Sequence, residues 1–203
     1  LWAANNKMII NMAKTKELVF HRPHPRLHIS VTPIFCIEQV LEAKLLGVYF
    51  NSNLKFVSHV SNILKQCSQR SFLIKQLQCQ GLSKKHLGIV FEAIILSRIR
   101  YCLPAWAGFI TKELEGQIDA FLRRMFLYGY CLKCYTVHDL IASSDFELFK
   151  SISRNSHCLN QLLQHKIAGS YNLRSRGHNY ELPLCTTTYF KQSCINRCLY
   201  NYV

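Results

Sequence analysis

Lys44-Leu-Leu-Gly-Val-Tyr-Phe50 is the stretch on which the reading of this chain turns. Its apolar residues follow one another instead of alternating, a pattern that fits a strand buried on both faces. Gly47 sits in its middle, where a glycine weakens a strand but lets another backbone come close. Two readings follow: a core strand in which Gly47 marks a bulge, or a strand whose bare spot is a ligand platform. On both, the segment joins a small sheet to a helical arm.

Working outward, Met8-Ile-Ile10, Glu17-Leu-Val-Phe20, Leu27 to Thr32 and Ile34-Phe-Cys-Ile37 have the length and composition of short strands. Asn11-Met-Ala-Lys-Thr15 connects the first two. His21-Arg-Pro-His-Pro-Arg26 carries two prolines and reads as an extended basic turn. Residues 1–50 are therefore expected to form a meander of short, mostly antiparallel strands.

After the turn residues Asn51-Ser-Asn53 the period changes. Val60, Ile63, Leu64, Cys67, Ile74 and Leu77 follow helical spacing, with an expected break at Arg70-Ser71. Gly81 suits the position after a helix and Ser83 the N-cap of the next, whose apolar face is Leu87, Val90, Phe91, Ile94 and Ile95. Pro104 is expected to stop it. Thr111 caps a third helix with the stripe Leu114, Ile118, Phe121, Leu122 and Met125, ended by Gly129. Val137 to Ala142 reads as a short helix. Ser144-Asp-Phe-Glu147 has the capping-box form and is expected to open a long helix through Leu148, Ile152, Leu159, Leu162 and Leu163. Residues 169–188 lose periodicity, and Tyr189 to Tyr200 reads as a last helix. The fold class expected is α+β: a small antiparallel sheet in residues 1–56, helices in 57–128, and a helical tail in 129–203.

The chain has 203 residues, 49% hydrophobic and 12% aromatic, enough to bury a core. It has no apolar run of the ~20 residues that a membrane span needs, and no export signal is read in its first residues. Net charge is +14, which calls for an anionic partner. Residues 1–110 hold 14 basic and 4 acidic side chains, a net of +10, so the anion-facing surface is expected mainly in the first half. The ten cysteines are irregularly spaced, and with no export signal they are expected to be reduced thiols of an intracellular protein.

Few arrangements point to chemistry. Cys131-x-x-Cys134 with His138, His157 and Cys158 lacks the two spaced pairs of a tetrahedral zinc site, so no metal site is expected. A redox CxxC opens a helix after a strand, whereas this one follows a helix. The aspartates are Asp119, Asp139 and Asp145, with no two adjacent. There is no nucleophile elbow and no glycine-rich phosphate loop. What remains is a series of cations along the first half: Lys14, Lys16, Arg22, Arg26, Lys44, Lys55, Lys65, Arg70, Lys75, Lys84, Lys85, Arg98 and Arg100. Cations in such number neutralise phosphates and release counterions without reading bases.

Three stretches in order resemble the reverse transcriptase of non-LTR (LINE-type) retrotransposons of the jockey and CR1 kind. Asn11-Met-Ala-Lys-Thr-Lys-Glu-Leu-Val-Phe20 is similar to the N-x-x-K-T-x-x-x-x-F of polymerase motif D. Lys44 to Phe50, with Leu54, Phe56 and His59-Val60, is similar to the "LGV–L–F–HV" of motif E, the primer grip. Leu96-Ser-Arg-Ile-Arg-Tyr-Cys-Leu-Pro-Ala-Trp106 is similar to the thumb helix that ends in Tyr and Trp. Arg174-Ser-Arg-Gly-His178 and Phe190 to Leu199 look like the tail beyond that thumb.

The resemblance implies that 1–56 is the end of a palm carrying the primer-grip strand, 57–128 the thumb and 129–203 the tail. It implies that Lys14 lies near the incoming nucleotide and can protonate the leaving pyrophosphate. It implies that Leu46 and Gly47 grip the primer, and that Lys65, Lys75, Arg98 and Arg100 on the thumb track an RNA/DNA template–primer duplex. Fingers and palm of the same polyprotein would precede residue 1. The family's F/Y-x-D-D turn, whose aspartates hold Mg²⁺, is absent, and no Asp occurs before position 119. The implied cofactor thus belongs to the full polymerase, not to this chain, which is expected to be inactive alone. The second reading is a stand-alone or co-opted basic nucleic-acid-binding module.

Overall fold

The structure is a computed structural model and describes residues 2–21, 31–166 and 177–202. It is mixed α+β, with short strands in the first quarter and helices thereafter. Two compact units are present, Leu1–His59 and Val60–Val203. Residues 60–128 and 129–203 fall in the same unit.

In the first unit a four-residue helix α1 (Trp2–Asn5) precedes two strand pairs. β1 (Lys16–Glu17) pairs with β2 (Glu38–Gln39), and this pairing is parallel. This pair departs from the expected meander of mostly antiparallel strands; a small two-stranded antiparallel sheet is present further along the chain. Met8-Ile-Ile10 and Ile34–Ile37 enter no strand, and Ile9 and Phe35 are 98% and 90% exposed. A short apolar run makes a strand only where a neighbour accepts its ladder and a surface covers its face, and neither is found here among the described residues. Arg22, Arg26 and residues 27–30 of the expected strand Leu27 to Thr32 lie outside the described residues.

The segment 44–50 is also corrected. It is not one strand but a hairpin: β3 (Glu42–Leu45) pairs antiparallel with β4 (Val48–Asn51), Leu45 opposite Val48. Leu46 and Gly47 are the two-residue turn, with φ of +47° and +89°. Both central residues left-handed is the type I′ arrangement, whose twist matches that of the flanking strands. Gly47 is therefore a turn glycine on the surface, and Leu46 is 81% exposed. Only Val48 of β4 is fully buried. Beyond the hairpin, Phe56 packs edge-on against Phe50, ring centroids 5.5 Å apart. His59 is buried beside it, and its Nδ1 accepts from the Tyr49 amide at 3.4 Å. Burial pulls His59 down to about 4, so the ring is neutral near pH 7.

Helix α2 (Val57–Cys79) runs unbroken for 23 residues, with no break at Arg70-Ser71. Val60, Ile63, Cys67 and Ile74 are its buried stripe. Arg70 is half-buried because its guanidinium is in use: Nη1 donates to Ile94 O at 2.8 Å. Ser83 caps α3 (Lys84–Phe91), its hydroxyl accepting from the His86 amide. α3 continues through a π-turn, Glu92–Leu96, into α4 (Ser97–Arg100). A π-turn spends one extra residue and leaves carbonyls without their usual partners. Arg70 supplies one such carbonyl, and the Cys67 thiol lies 3.9 Å from Ile95 O.

Pro104 does not stop this helix, which ends at Arg100. It instead occupies the first turn of α5 (Leu103–Trp106), where a missing N–H costs nothing. Trp106 is fully buried, its indole donating to Tyr101 O at 3.1 Å. Thr111 caps α6 (Lys112–Leu127), which buries the expected stripe. Gly129 follows it with φ +74°. α7 (Val137–Ile152) is capped by Thr136, which accepts from the Asp139 amide. Ser144-Asp-Phe-Glu147 lies inside α7 and opens nothing, and Leu159, Leu162 and Leu163 lie beyond its end. α8 (Thr188–Gln192) and α9 (Cys194–Asn201) close the chain. Phe149, Cys198 and Leu199 form a core with Tyr180, Ile195 and Tyr202 packed on it.

Asp145 is the buried charge of this region, 1% exposed. Arg197 grips it with two hydrogen bonds, Nε to Oδ2 at 2.7 Å and Nη2 to Oδ1 at 2.8 Å. The same guanidinium donates to Gln192 O at 2.8 Å and Pro104 O at 3.1 Å. One side chain thus ties α5, α7, α8 and α9 together. Burial alone would lower Arg197, but the Asp145 carboxylate more than reverses this and holds it above its usual range.

Candidate nucleic-acid interface

Between Glu42 and Glu92 the chain has no acidic residue and carries seven lysines and arginines. This run of 49 residues covers most of the hairpin, all of α2 and all of α3. On α2, Lys65 and Lys75 are exposed, as are Ser61, Ser68, Gln69 and Gln76. Ten residues separate the two lysines, about 15 Å along the axis and roughly 80° around it. A row of hydroxyls, amides and two ammonium groups, with no carboxylate on the helix, can accept a phosphate backbone but cannot select bases.

Lys84 and Lys85 are exposed in the first turn of α3. Cations there add to the positive end of the helix dipole, an arrangement that costs stability and strengthens the local positive field. Arg98 and Arg100 are exposed in the last turn of α4, where they complement the negative end. Arg100 lies 5.9 Å from the centre of the Tyr135 ring, and Lys133 lies 5.7 Å from the same ring. The Tyr135 hydroxyl donates to Glu92 at 2.5 Å. Burial and that carboxylate push Tyr135 up to about 12.

Lys14, Leu46 and Gly47 belong to the first unit. Lys14 ends a short 3₁₀ turn, Met12–Lys14, in which the Asn11 side chain accepts from its amide. Its side chain is exposed. Leu46 and Gly47 form the exposed hairpin tip. Lys65, Lys75, Arg98 and Arg100 belong to the second unit. Of the tail loop Arg174 to His178, only Gly177 and His178 are among the described residues. His178 is structural: Nε2 donates to Leu199 O at 2.8 Å and the ring packs on Phe149.

The aspartates do not fit a magnesium pair. Asp119 accepts from the Val137 amide at 2.7 Å, Asp139 accepts from the Thr136 hydroxyl at 2.8 Å, and Asp145 is held by Arg197. Each carboxylate is committed to shaping a helix or its cap. The cysteines are free thiols. Burial pushes Cys67 and Cys131 up to about 11, so neither is an activated nucleophile. Among the described residues one group of three potential metal ligands comes together, Asp145 with Cys194 and Cys198, their ligating atoms within 4.8 Å of one another. Both oxygens of that carboxylate already accept from Arg197. No described helix is long and apolar enough to cross a membrane.

Sequence reasoning passed over Lys133, Tyr135 and Glu92, whose association bridges 43 residues and leaves no local pattern. It also included Arg70 in the series of phosphate-neutralising cations, whereas the structure uses its guanidinium on a carbonyl of the π-turn. Comparison with protein-family models, curated proteins and solved structures finds no match to this chain.

Proposed function

We propose that this chain is the C-terminal part of an RNA-directed DNA polymerase of the non-LTR retrotransposon kind, and that its role is to hold the template–primer. The reading rests on the order of the three resembling stretches. The observation that carries the binding role is the exposed set Lys65, Lys75, Lys84 and Lys85 on α2 and α3, two helices that hold no carboxylate. A surface of that kind binds polynucleotide backbones by counterion release. The left-handed tip Leu46-Gly47 supports a primer-contact role, since it stands exposed and carries little bulk at residue 47. By the same reading Lys14 serves the incoming nucleotide, and chemistry needs the Mg²⁺-binding aspartates of the remaining polymerase.

A specific observation favours a polymerase part over a self-contained binding module. The first unit leaves Met8, Ile9, Ile10, Ile34, Phe35 and Leu41 exposed at 52% or more. Large apolar side chains left bare in this number fit a segment that the rest of the palm would cover.

Binding of an RNA–DNA duplex, followed by fluorescence anisotropy across salt concentrations, tests the role. With about six phosphates neutralised, log K should fall against log salt with a slope of roughly −5. A slope near zero removes the charge argument. Lys75→Ala and Arg98→Ala should each weaken binding alike on unrelated sequences. Template-dependent synthesis by the isolated chain with Mg²⁺ would refute the assignment of catalysis to other residues.

A further inference from the structure

A groove of about 760 Å³ runs between α2 and α6, lined by Leu64, Gln117, Asp119, Ala120, Arg123, Arg124 and Leu127. It is open along its length and encloses nothing. Its apolar lining is aliphatic: Leu64 from α2, Ala120 and Leu127 from α6. Its charge is positive. Arg123 and Arg124 are both exposed. The Arg124 guanidinium lies 6.0 Å from the centre of the Phe121 ring, which steadies it without using its donors. Asp119 already accepts from the Val137 amide, so its carboxylate serves the start of α7. Leu64 lies one turn from exposed Ser61 and Ser68, so the groove adjoins the polar row of α2.

Two guanidiniums beside aliphatic side chains in one groove suit a ligand that is anionic along one edge and flat and apolar along the other. A base-paired duplex presents phosphates but keeps its bases stacked inside. A single strand presents both. We propose that this groove is a single-strand slot: it seats an unpaired overhang next to the duplex, with phosphates on Arg123 and Arg124 and bases against Leu64, Ala120 and Leu127. The inference extends the nucleic-acid reading above by giving the single strand a site of its own. Guanidinium suits the task because its planar fork grips phosphate at two points.

The test compares a blunt RNA–DNA duplex with the same duplex bearing a ten-nucleotide overhang, on wild type, on Arg123→Gln/Arg124→Gln and on Lys65→Gln/Lys75→Gln. Wild type should bind the overhang substrate more tightly. The arginine variant should lose that advantage, by roughly tenfold, and its salt slope on a free single strand should fall by about 1.4 for two phosphate contacts. Its affinity for the blunt duplex should stay unchanged. The lysine variant should weaken on both substrates. Equal loss on both substrates in the arginine variant, or no loss, overturns the slot. Competition by an acidic peptide as effective as a single strand of equal charge also overturns it, because the aliphatic side chains would then contribute nothing. Failure of wild type to bind the blunt duplex, with overhang binding and its arginine dependence intact, would overturn the duplex-holding function and leave the slot standing. Circular dichroism melting of the arginine variant should match wild type, since neither guanidinium is buried.

Discussion

Replacing Arg197 with alanine should unfold the C-terminal helices more readily than any substitution of an exposed cation. The side chain is 13% exposed and its partner Asp145 is 1% exposed. Removing the guanidinium deletes four hydrogen bonds and leaves a carboxylate whose side chain is closed off from solvent. Breaking a buried pair from one side costs about 3–5 kcal/mol. The Pro104 and Gln192 carbonyls lose a donor as well, which places Arg197→Ala near the upper end of that range. Asp145→Ala should cost a similar amount, because it strands the guanidinium. The double change Asp145→Leu/Arg197→Met should cost far less than the sum, and with good packing approach neutrality. Urea unfolding of the four proteins, followed by helical circular dichroism, gives the cycle directly. A loss below about 1 kcal/mol for Arg197→Ala, the level of an exposed ion pair, would show that the clamp does not hold these helices. Additivity of the two single changes would refute the coupling itself.

Gly108 lies against the same clamp, and a methyl group there would overlap the Arg197 guanidinium and the Gln192 carbonyl. Gly108→Ala should therefore destabilise by about 1–3 kcal/mol, read as a lowered thermal midpoint, although alanine has the better helix propensity. His59 titrates at about 4 in the fold against 6.5 unfolded, so between these values the unfolded chain binds more protons. Its contribution is complete above pH 6.5 and is lost as pH falls towards 4, by up to about 3 kcal/mol. Hydrogen exchange at the hairpin amides between pH 7 and 4 should show the loss, and His59→Gln should flatten it. At the hairpin tip, Leu46→Asn should stabilise by roughly 0.5–1 kcal/mol, since asparagine tolerates the left-handed region, whereas Gly47→Val should destabilise the hairpin; equal melting of both variants would argue against a type I′ turn.

Much of the helical half was legible because its signals are local. Ser83, Thr111, Gly81 and Gly129 stand at the helix ends where their chemistry belongs, and the stripe of α6 is buried as its period requires. The hairpin was not legible for the opposite reason. Type I′ turns announce themselves with Asn-Gly or Asp-Gly, and here a leucine takes the first left-handed position, so an unbroken apolar run conceals the reversal. Two cap signals compete at the start of α7. Thr136 and Ser144 both have the required spacing to an acid, and the earlier one wins because Val137 and Leu140 fall on the buried face it creates. The Asp145–Arg197 clamp spans 52 residues, and no window of sequence contains both halves. Of the interface, the cations were visible as a count. Which of them turn inward, as Arg70 does, depends on a π-turn that no periodicity records.

That extra residue between Glu92 and Leu96 has a directional effect. From Leu87 to Arg98 is eleven positions, about three full turns of an ideal helix, which would bring the arginine to within roughly 20° of the leucine and drive its charge into the core. The added residue unwinds the end of the rod by part of a turn. Ile99 drops into the vacated place, fully buried, and Arg98 swings out to water. The bearing of this helix tip is thus set by one widened turn: rewinding it to an ideal helix with every residue kept would reverse the arginine and the isoleucine, whereas deleting a single residue within the turn would straighten the rod and leave both where they are.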